Sequence, residues 1–452
     1  MRITLWLGAL LLVLAASALA QEERIIDNFA GVGTRAMGMG GSFVGVADDF
    51  TALYWNPAGL AQMQHHEVQA AFTRNGLTME SARSGISASS DLASTRVDAL
   101  GGVYRVPVQR GSLVVAAGYN RVQAFDWVLR EPGLTVVEPP PGSPAGTPRD
   151  SVLADNSYRH EGGIALTAFG AAVDVSPTVS LGATLGFTNG EDRSQTSFDW
   201  RDTLGTQTWR RAQDREAYDD NYGVALHAAL GGLMRYPREE PRVRVGAQVT
   251  YSGVHDVSYV FRGIPDPNEH SRVEYDDGLV VSRQDTTESG SYRIALPLEM
   301  SAGVSVVPVA GLLLAGSVHV AEWKQTEYKG TDAEELAGAT SFQSQYRNVA
   351  RYHVGAEWQV PAVALDLRAG YYTDPLPFVG PLDPAADVDP ETNPLVVVDQ
   401  DRRFTTLGAG LVVDQVVHLD LAWVHGHYKQ HEGRLSEKWT GDRVFASVAC
   451  RF

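Results

Sequence analysis

The chain has 452 residues, with 37 lysines and arginines against 54 aspartates and glutamates, and its net charge of −17 sets nucleic acid aside as a partner. Its single cysteine, Cys450, rules out an intramolecular disulfide. Beyond the first twenty residues no apolar run approaches the roughly eighteen residues of a membrane helix. A membrane-embedded form would therefore be a closed β-barrel, which also satisfies its own backbone in lipid.

Arg2 precedes an apolar run from Leu5 to Leu14, and Ala18-Leu19-Ala20 forms a small-x-small cleavage pattern. Residues 1–20 are thus expected to be an export signal. Residues 21–64 do not alternate. They run through Gly38-Met39-Gly40-Gly41, Asp48-Asp49 and Tyr54-Trp55-Asn56-Pro57-Ala58-Gly59-Leu60. Asp48 or Asp49 is placed to cap a short helix and Asn56 a second one. Pro57 then falls at the first helical position, where its missing donor is not needed. The glycines let such a backbone pack closely against a wall, which predicts a compact plug.

From about residue 66 the chain alternates with period two. Ile294, Leu296, Leu298, Met300, Ala302 and Val304 form one apolar set; Tyr352, Val354, Ala356 and Trp358 a second; Val363, Leu365, Leu367, Ala369 and Tyr371 a third; Val417, Leu419, Leu421 and Trp423 a fourth. The last segment sets Val444, Ala446, Val448, Cys450 and Phe452 against Arg443, Ser447, Ala449 and Arg451. Softer segments bring the total to about fourteen strands. Short connections, as at 109–111, 176–178 and 414–415, alternate with long polar ones at about 75–95, 126–160, 190–220, 263–290, 329–345, 374–401 and 430–441. That asymmetry is the one between periplasmic turns and extracellular loops. The fold expected is an all-β transmembrane antiparallel barrel over residues 65–452, with a small plug of short helices over 21–64. Phe452 is the expected assembly signal, read by the barrel assembly machinery. Outer-membrane lipid and lipopolysaccharide are the expected surroundings, and a monomer the expected state.

Strand polarity puts Glu357, Asp366, Arg368, His418, Asp420 and Arg451 in one lumen layer near the periplasmic end, with Glu299 and Arg351 higher. Buried charges need partners, so this layer either stiffens the barrel or docks the plug through Arg35, Asp48 or Asp49. The glycine-rich run follows no strand and is no dinucleotide fingerprint. His425, His427 and His431 read as residues of a strand's outer end, and no metal or cofactor is expected. No Gly-x-Ser-x-Gly occurs, and the chain is not expected to be an enzyme.

The stretch over residues 31–60 resembles the amino-terminal hatch of the FadL/OMPP1/TodX superfamily of outer-membrane transporters, whose Asn-Pro-Ala motif is matched by Asn56, Pro57 and Ala58. Leu296-Pro297 followed by Gly303 is similar to a strand motif of the same family. The resemblance implies a fourteen-stranded barrel plugged by its hatch and passive uptake of hydrophobic molecules such as long-chain fatty acids or aromatic hydrocarbons. Phe43, Phe50, Leu53, Tyr54 and Trp55 are the candidate hatch residues for lining a cargo pocket. It also implies a lateral exit at a kink in the third strand, which places Gly118, Tyr119 and Asn120, facing Gly101 and Gly102, at the opening. The alternative is a protein-binding barrel like the shuttle subunit of type IX secretion, whose branch shares the Gly-Met-Gly-Gly and Tyr-Trp-Asn-Pro-Ala-Gly pattern.

Overall fold

Side chains that alternate in sequence alternate between two media in space, and the barrel follows from that. The computed structural model describes residues 23–26, 29–137, 150–205, 207, 209–237, 241–263, 271–283, 287–330, 340–361, 363–381 and 383–452. The expected export signal lies outside the described residues. Fourteen antiparallel strands form the wall. They are β1 Glu67–Arg83, β2 Ile86–Val106, β3 in two pieces (Leu113–Arg121 and Trp127–Val137), β4 Asp150–Asp174, β5 Val179–Arg201 and β6 Trp209–Tyr236. Then follow β7 (Val243–Ser252 and Val254–Gly263), β8 (Thr287–Ala295 and Glu299–Val309), β9 Leu312–Ala321 and β10 Val349–Gln359. The last four are β11 Leu365–Asp374, β12 Val396–Val413, β13 Val417–Glu432 and β14 Leu435–Arg451. β14 pairs with β1 from Arg451 opposite Glu67 to Leu435 opposite Arg83, and this closes the sheet without an edge.

The outward set is apolar: on β13 Leu419, Leu421 and Trp423 are exposed while Ala422 and Val424, which alternate with them, are buried. Phe169, Leu185, Leu230, Val249, Met300, Val354 and Leu407 continue the belt around the wall, and Leu230 is 68% exposed. So many exposed large apolar side chains on one closed surface make this an outer-membrane-type barrel whose belt faces lipid. Cys450 lies in the outward set, half-exposed.

Two sequence expectations need correction. Much of the supposed long loops at 75–95, 126–160 and 190–220 is strand: β6 alone runs 28 residues, far beyond the roughly 9–11 that cross a bilayer. Polar residues on both faces hid these extensions, because beyond the lipid neither face needs to be apolar. The strand read continuously from Ile294 to Val304 is also interrupted. Leu296, Pro297 and Leu298 leave the ladder, since Pro297 has no N–H to give it. Ile294 is buried inside whereas Leu298, Met300 and Val304 face outward, so the alternation changes phase at the break.

Candidate functional site

Residues 29–63 fill the barrel. Helix α1 (Thr34–Gly38), helix α2 (Ala52–Trp55) and a 3-10 helix (Pro57–Gln62) are joined by tight turns, and nearly every residue is buried. Helices this short cannot hold themselves together, so the wall supplies what their backbone lacks. Ser305 donates to the Gly45 carbonyl at 2.9 Å, Thr406 to Gly38 at 3.0 Å, Thr184 to Leu53 at 3.0 Å and Gln248 to Tyr54 at 2.9 Å. Asn56 is fully buried and caps the 3-10 helix, accepting from the Ala58 N–H at 3.1 Å. Its amide nitrogen donates to the carbonyls of Val44 (3.0 Å) and of Gly232 on β6 (3.1 Å), tying cap, plug and wall into one unit. Asp49 accepts from the N–H and hydroxyl of Thr51 at the start of α2.

Close approach explains the wall glycines. A Cβ on Gly231 would lie 2.2 Å from Asn56 Oδ1, and one on Gly182 would lie 2.3 Å from the backbone carbon of Pro57. Gly246, Gly303, Gly355, Gly370 and Gly408 meet the plug backbone in the same way. Inward glycines on successive strands thus form a seat for the plug. The sequence shows them only as scattered strand glycines, because their common level emerges from register.

The lumen charge layer meets this plug at Arg35 and Asp48. Arg35 on α1 places Nε 2.7 Å and Nη2 2.8 Å from the two Glu357 oxygens and also pairs with Asp48. Arg368 holds Glu357 at 2.6 Å, Asp420 at 2.5 Å and Asp366 at 3.4 Å. Arg451 bonds Glu67 at 2.7 Å, and Glu67 also accepts from the Phe50 N–H at 2.9 Å. His418 lines the same charged recess but makes no hydrogen bond to Asp420 among the described residues. Glu67 and Arg244, the latter 3.6 Å from Asp48, belong to the layer and were missed, since neither lies in a strand segment whose faces were assigned.

Of the five hatch side chains proposed to line a pocket, four pack the plug. Phe43 sits under the Arg35 guanidinium, Leu53 packs at Gly170, and Trp55 donates to the Val32 carbonyl at 3.0 Å. Phe50 seats its ring on Gly101 and Gly118, where a Cβ would come within 2.2 and 2.5 Å of it. Tyr54 lines a cavity of about 90 Å3 between the plug, the segment carrying Ile25 and Phe29, and the wall from β3 to β10.

That cavity meets three interruptions of the wall. Val122 and Gln123 border it at the break in β3, Ser252 at the break in β7 and Leu296 at the break in β8. The β3 break matters most. The β2–β3 ladder is continuous from Val106 opposite Leu113 to Ala99 opposite Asn120, so the wall is unbroken at Gly118, which pairs with Gly101. The wall therefore has no break beside Gly118, Tyr119 and Asn120, where the opening was expected: the glycines receive Phe50, Tyr119 points outward, and the interruption comes after Arg121. Residues 122–126 turn inward, with Phe29 bridged to Gln123. Beyond them no backbone ladder joins residues 86–98 of β2 to the outer piece of β3 among the described residues. Side chains span the seam instead, Asp126 accepting from Ser94 at 2.6 Å and Arg96 at 2.8 Å.

No protein-family model matches the chain, and no curated protein matches it by sequence. Solved structures do. The P. putida toluene transporter TodX aligns with a TM-score of 0.60 at 14% identity over 94% of this chain and 99% of that one. A Pseudomonas aeruginosa FadL homologue gives 0.57 at 14% identity, and the CymD monoaromatic hydrocarbon channel 0.53 at 15%, both over 94% and 99%. The fold is that of the FadL/TodX-type barrels. Within it, Asn56, Pro57 and Ala58 sit at the centre of the plug against β5 and β6, and Phe452 exchanges two backbone hydrogen bonds with His66 where the barrel closes. The outer histidines are engaged separately, His425 with Asp442, His427 with Gln400 and His431 with Asp399. No group of His, Cys, Asp or Glu that would hold a metal ion occurs among the described residues.

Proposed function

We propose that the protein carries small hydrophobic molecules passively across the outer membrane, from the cavity beside Tyr54 out through the seam between β2 and β3. The observation that carries this reading is the contact between the cavity and the wall interruption at 122–126. A poorly soluble cargo gains by leaving sideways into lipid, and a seam crossed by two side-chain hydrogen bonds to Asp126, one of them also the ion pair with Arg96, opens at less cost than a ladder. The plug, docked by its charge layer and glycine seat, blocks the direct aqueous route. The likeness to hydrocarbon and FadL-type transporters supports the cargo class.

The test locks the seam. In a Cys450→Ser background, Ser94→Cys with Asp126→Cys places two thiols where side-chain oxygens now lie 2.6 Å apart. Labelled toluene uptake by cells carrying the oxidised variant should fall to that of cells without the protein, and reductant should restore it. Uptake indifferent to the bridge would remove the lateral route. Equal uptake with and without the unmodified protein, for toluene and for oleate, would remove transport itself.

A further inference from the structure

The cavity has one apolar side and one side of hydrogen-bonding groups that lack protein partners. Ile25, Phe29, Ile164 and Leu166 supply the first. The second is set by register: Gln248, Ser301 and His319 lie directly opposite one another on β7, β8 and β9, with Glu299 opposite Thr250 one inward step away. Ser301, Gln248 and His227 are all more than nine-tenths buried, yet Ser301 Oγ, Gln248 Oε1 and His227 Nδ1 have no partner among the described residues. An amide oxygen on Gln123 and the indole N–H of Trp323 are in the same condition. The orientation of Gln248 is fixed, because its nitrogen donates to the Tyr54 carbonyl and to Thr250, both at 2.9 Å, and a flipped amide would set oxygen against that carbonyl. What it shows the cavity is therefore an acceptor.

Charge narrows the ligand further. Glu299 lines the cavity and makes no ion pair among the described residues. Arg351, the one arginine or lysine in the lining, is held by Asp374 at 2.6 Å and stacks on Phe29. A carboxylate entering here would meet Glu299 and no uncommitted cation. A pure hydrocarbon would leave buried acceptors without donors, which is costly for each group. A hydroxyl serves both needs, since it carries no charge and donates to Gln248 Oε1 or to Glu299. At about 90 Å3 the cavity is smaller than the roughly 150 Å3 that houses one benzene, so a single ring is the largest cargo it takes, with local adjustment of its lining.

We infer that the preferred cargo is a small neutral hydroxylated amphiphile of the phenol type, bound with its ring against Phe29, Ile164 and Leu166 and its hydroxyl among Gln248, Ser301 and Glu299. The inference rests on the transport reading and specifies its substrate class. Discrimination between hydrocarbon, phenol and acid comes from unpaired polar groups, which reject a ligand lacking the matching atom more strongly than shape does.

Binding of p-cresol, toluene and p-toluate to the full-length protein in nanodiscs, corrected with empty discs, tests it by titration calorimetry. p-Cresol should bind at least tenfold more tightly than either analogue. Gln248→Leu should abolish the preference of p-cresol over toluene measured in the same variant, and Glu299→Gln, a near-isosteric change, should narrow the gap between p-toluate and p-cresol about tenfold. Heat-modifiable migration of each variant reports that the barrel is assembled. Toluene bound as tightly as p-cresol, p-toluate bound more tightly, or Gln248→Leu weakening p-cresol and toluene equally would each overturn the inference, while toluene uptake by cells would leave transport standing. No binding of any of the three, together with no uptake, would remove both.

Discussion

Replacing Arg35 with methionine tests how the plug is held. The guanidinium faces Glu357 through two hydrogen bonds of 2.7 and 2.8 Å and also pairs with Asp48, and all three groups are at least three-quarters buried. Removing one partner of a buried pair costs about 3–5 kcal/mol, because the charge left behind is neither solvated nor paired. Glu357 keeps Arg368 at 2.6 Å, whereas Asp48 keeps only Arg244 at 3.6 Å, so the lower end, about 3 kcal/mol, applies. That is roughly a hundredfold shift in the docking equilibrium of the plug. Hydrogen exchange of peptides within residues 34–62 reads it directly, since sub-global opening sets exchange of a buried segment. Arg35→Met should accelerate these amides about a hundredfold and leave β4 to β6 unchanged. In a Glu357→Gln background the same substitution should have a much smaller effect, since neighbouring groups in one network couple. Exchange within threefold of the unmodified protein, or equal effects in both backgrounds, would refute the claim that the charge layer docks the plug.

Gly118→Ala should loosen the plug by about 1–3 kcal/mol, because the added carbon would fall 2.5 Å from the Phe50 ring and 2.4 Å from the Leu100 carbonyl. Phe50→Leu should recover part of the loss in urea melts followed by heat-modifiable migration, and an unchanged midpoint for Gly118→Ala would contradict the seat. Asn56→Ala removes a cap and leaves the Val44 and Gly232 carbonyls without their donor, a loss of about 2–4 kcal/mol; Asn56→Asp, which keeps the cap acceptor but sets a buried oxygen against those two carbonyls, should lose at least as much in the same melts. Burial pushes the Glu23 carboxyl up to about 7, against the Tyr328 and Tyr292 hydroxyls that donate to it at 2.6 and 3.4 Å and favour its charged form. A carboxyl raised on docking binds its proton more firmly docked than free. Its contribution is present below the ordinary value near 4.5 and is lost as pH rises from there to about 7. Exchange around residues 23–30, corrected for intrinsic rate, should quicken across that window, and Glu23→Gln should abolish the dependence; a flat profile for the unmodified protein would count against it.

Alternation along single strands was enough to count the wall, to tell which side chains meet lipid wherever a strand runs unbroken, and to place Glu357, Arg368 and Asp420 in one inward layer, because a period of two admits only two faces. Asn56 and Pro57 announced their cap for the same local reason. Register, by contrast, relates residues tens or hundreds of positions apart, and no single strand carries it. Only the closed barrel brings Gly101 against Gly118 beneath Phe50, aligns Gly182 with Gly231 under Asn56, and sets Gln248, Ser301 and His319 side by side. The break in β3 likewise falls where Gln123 is bridged to Phe29, a contact the sequence gives no sign of. Local pattern decides which face a residue takes, and the pairing of distant strands decides what it meets there.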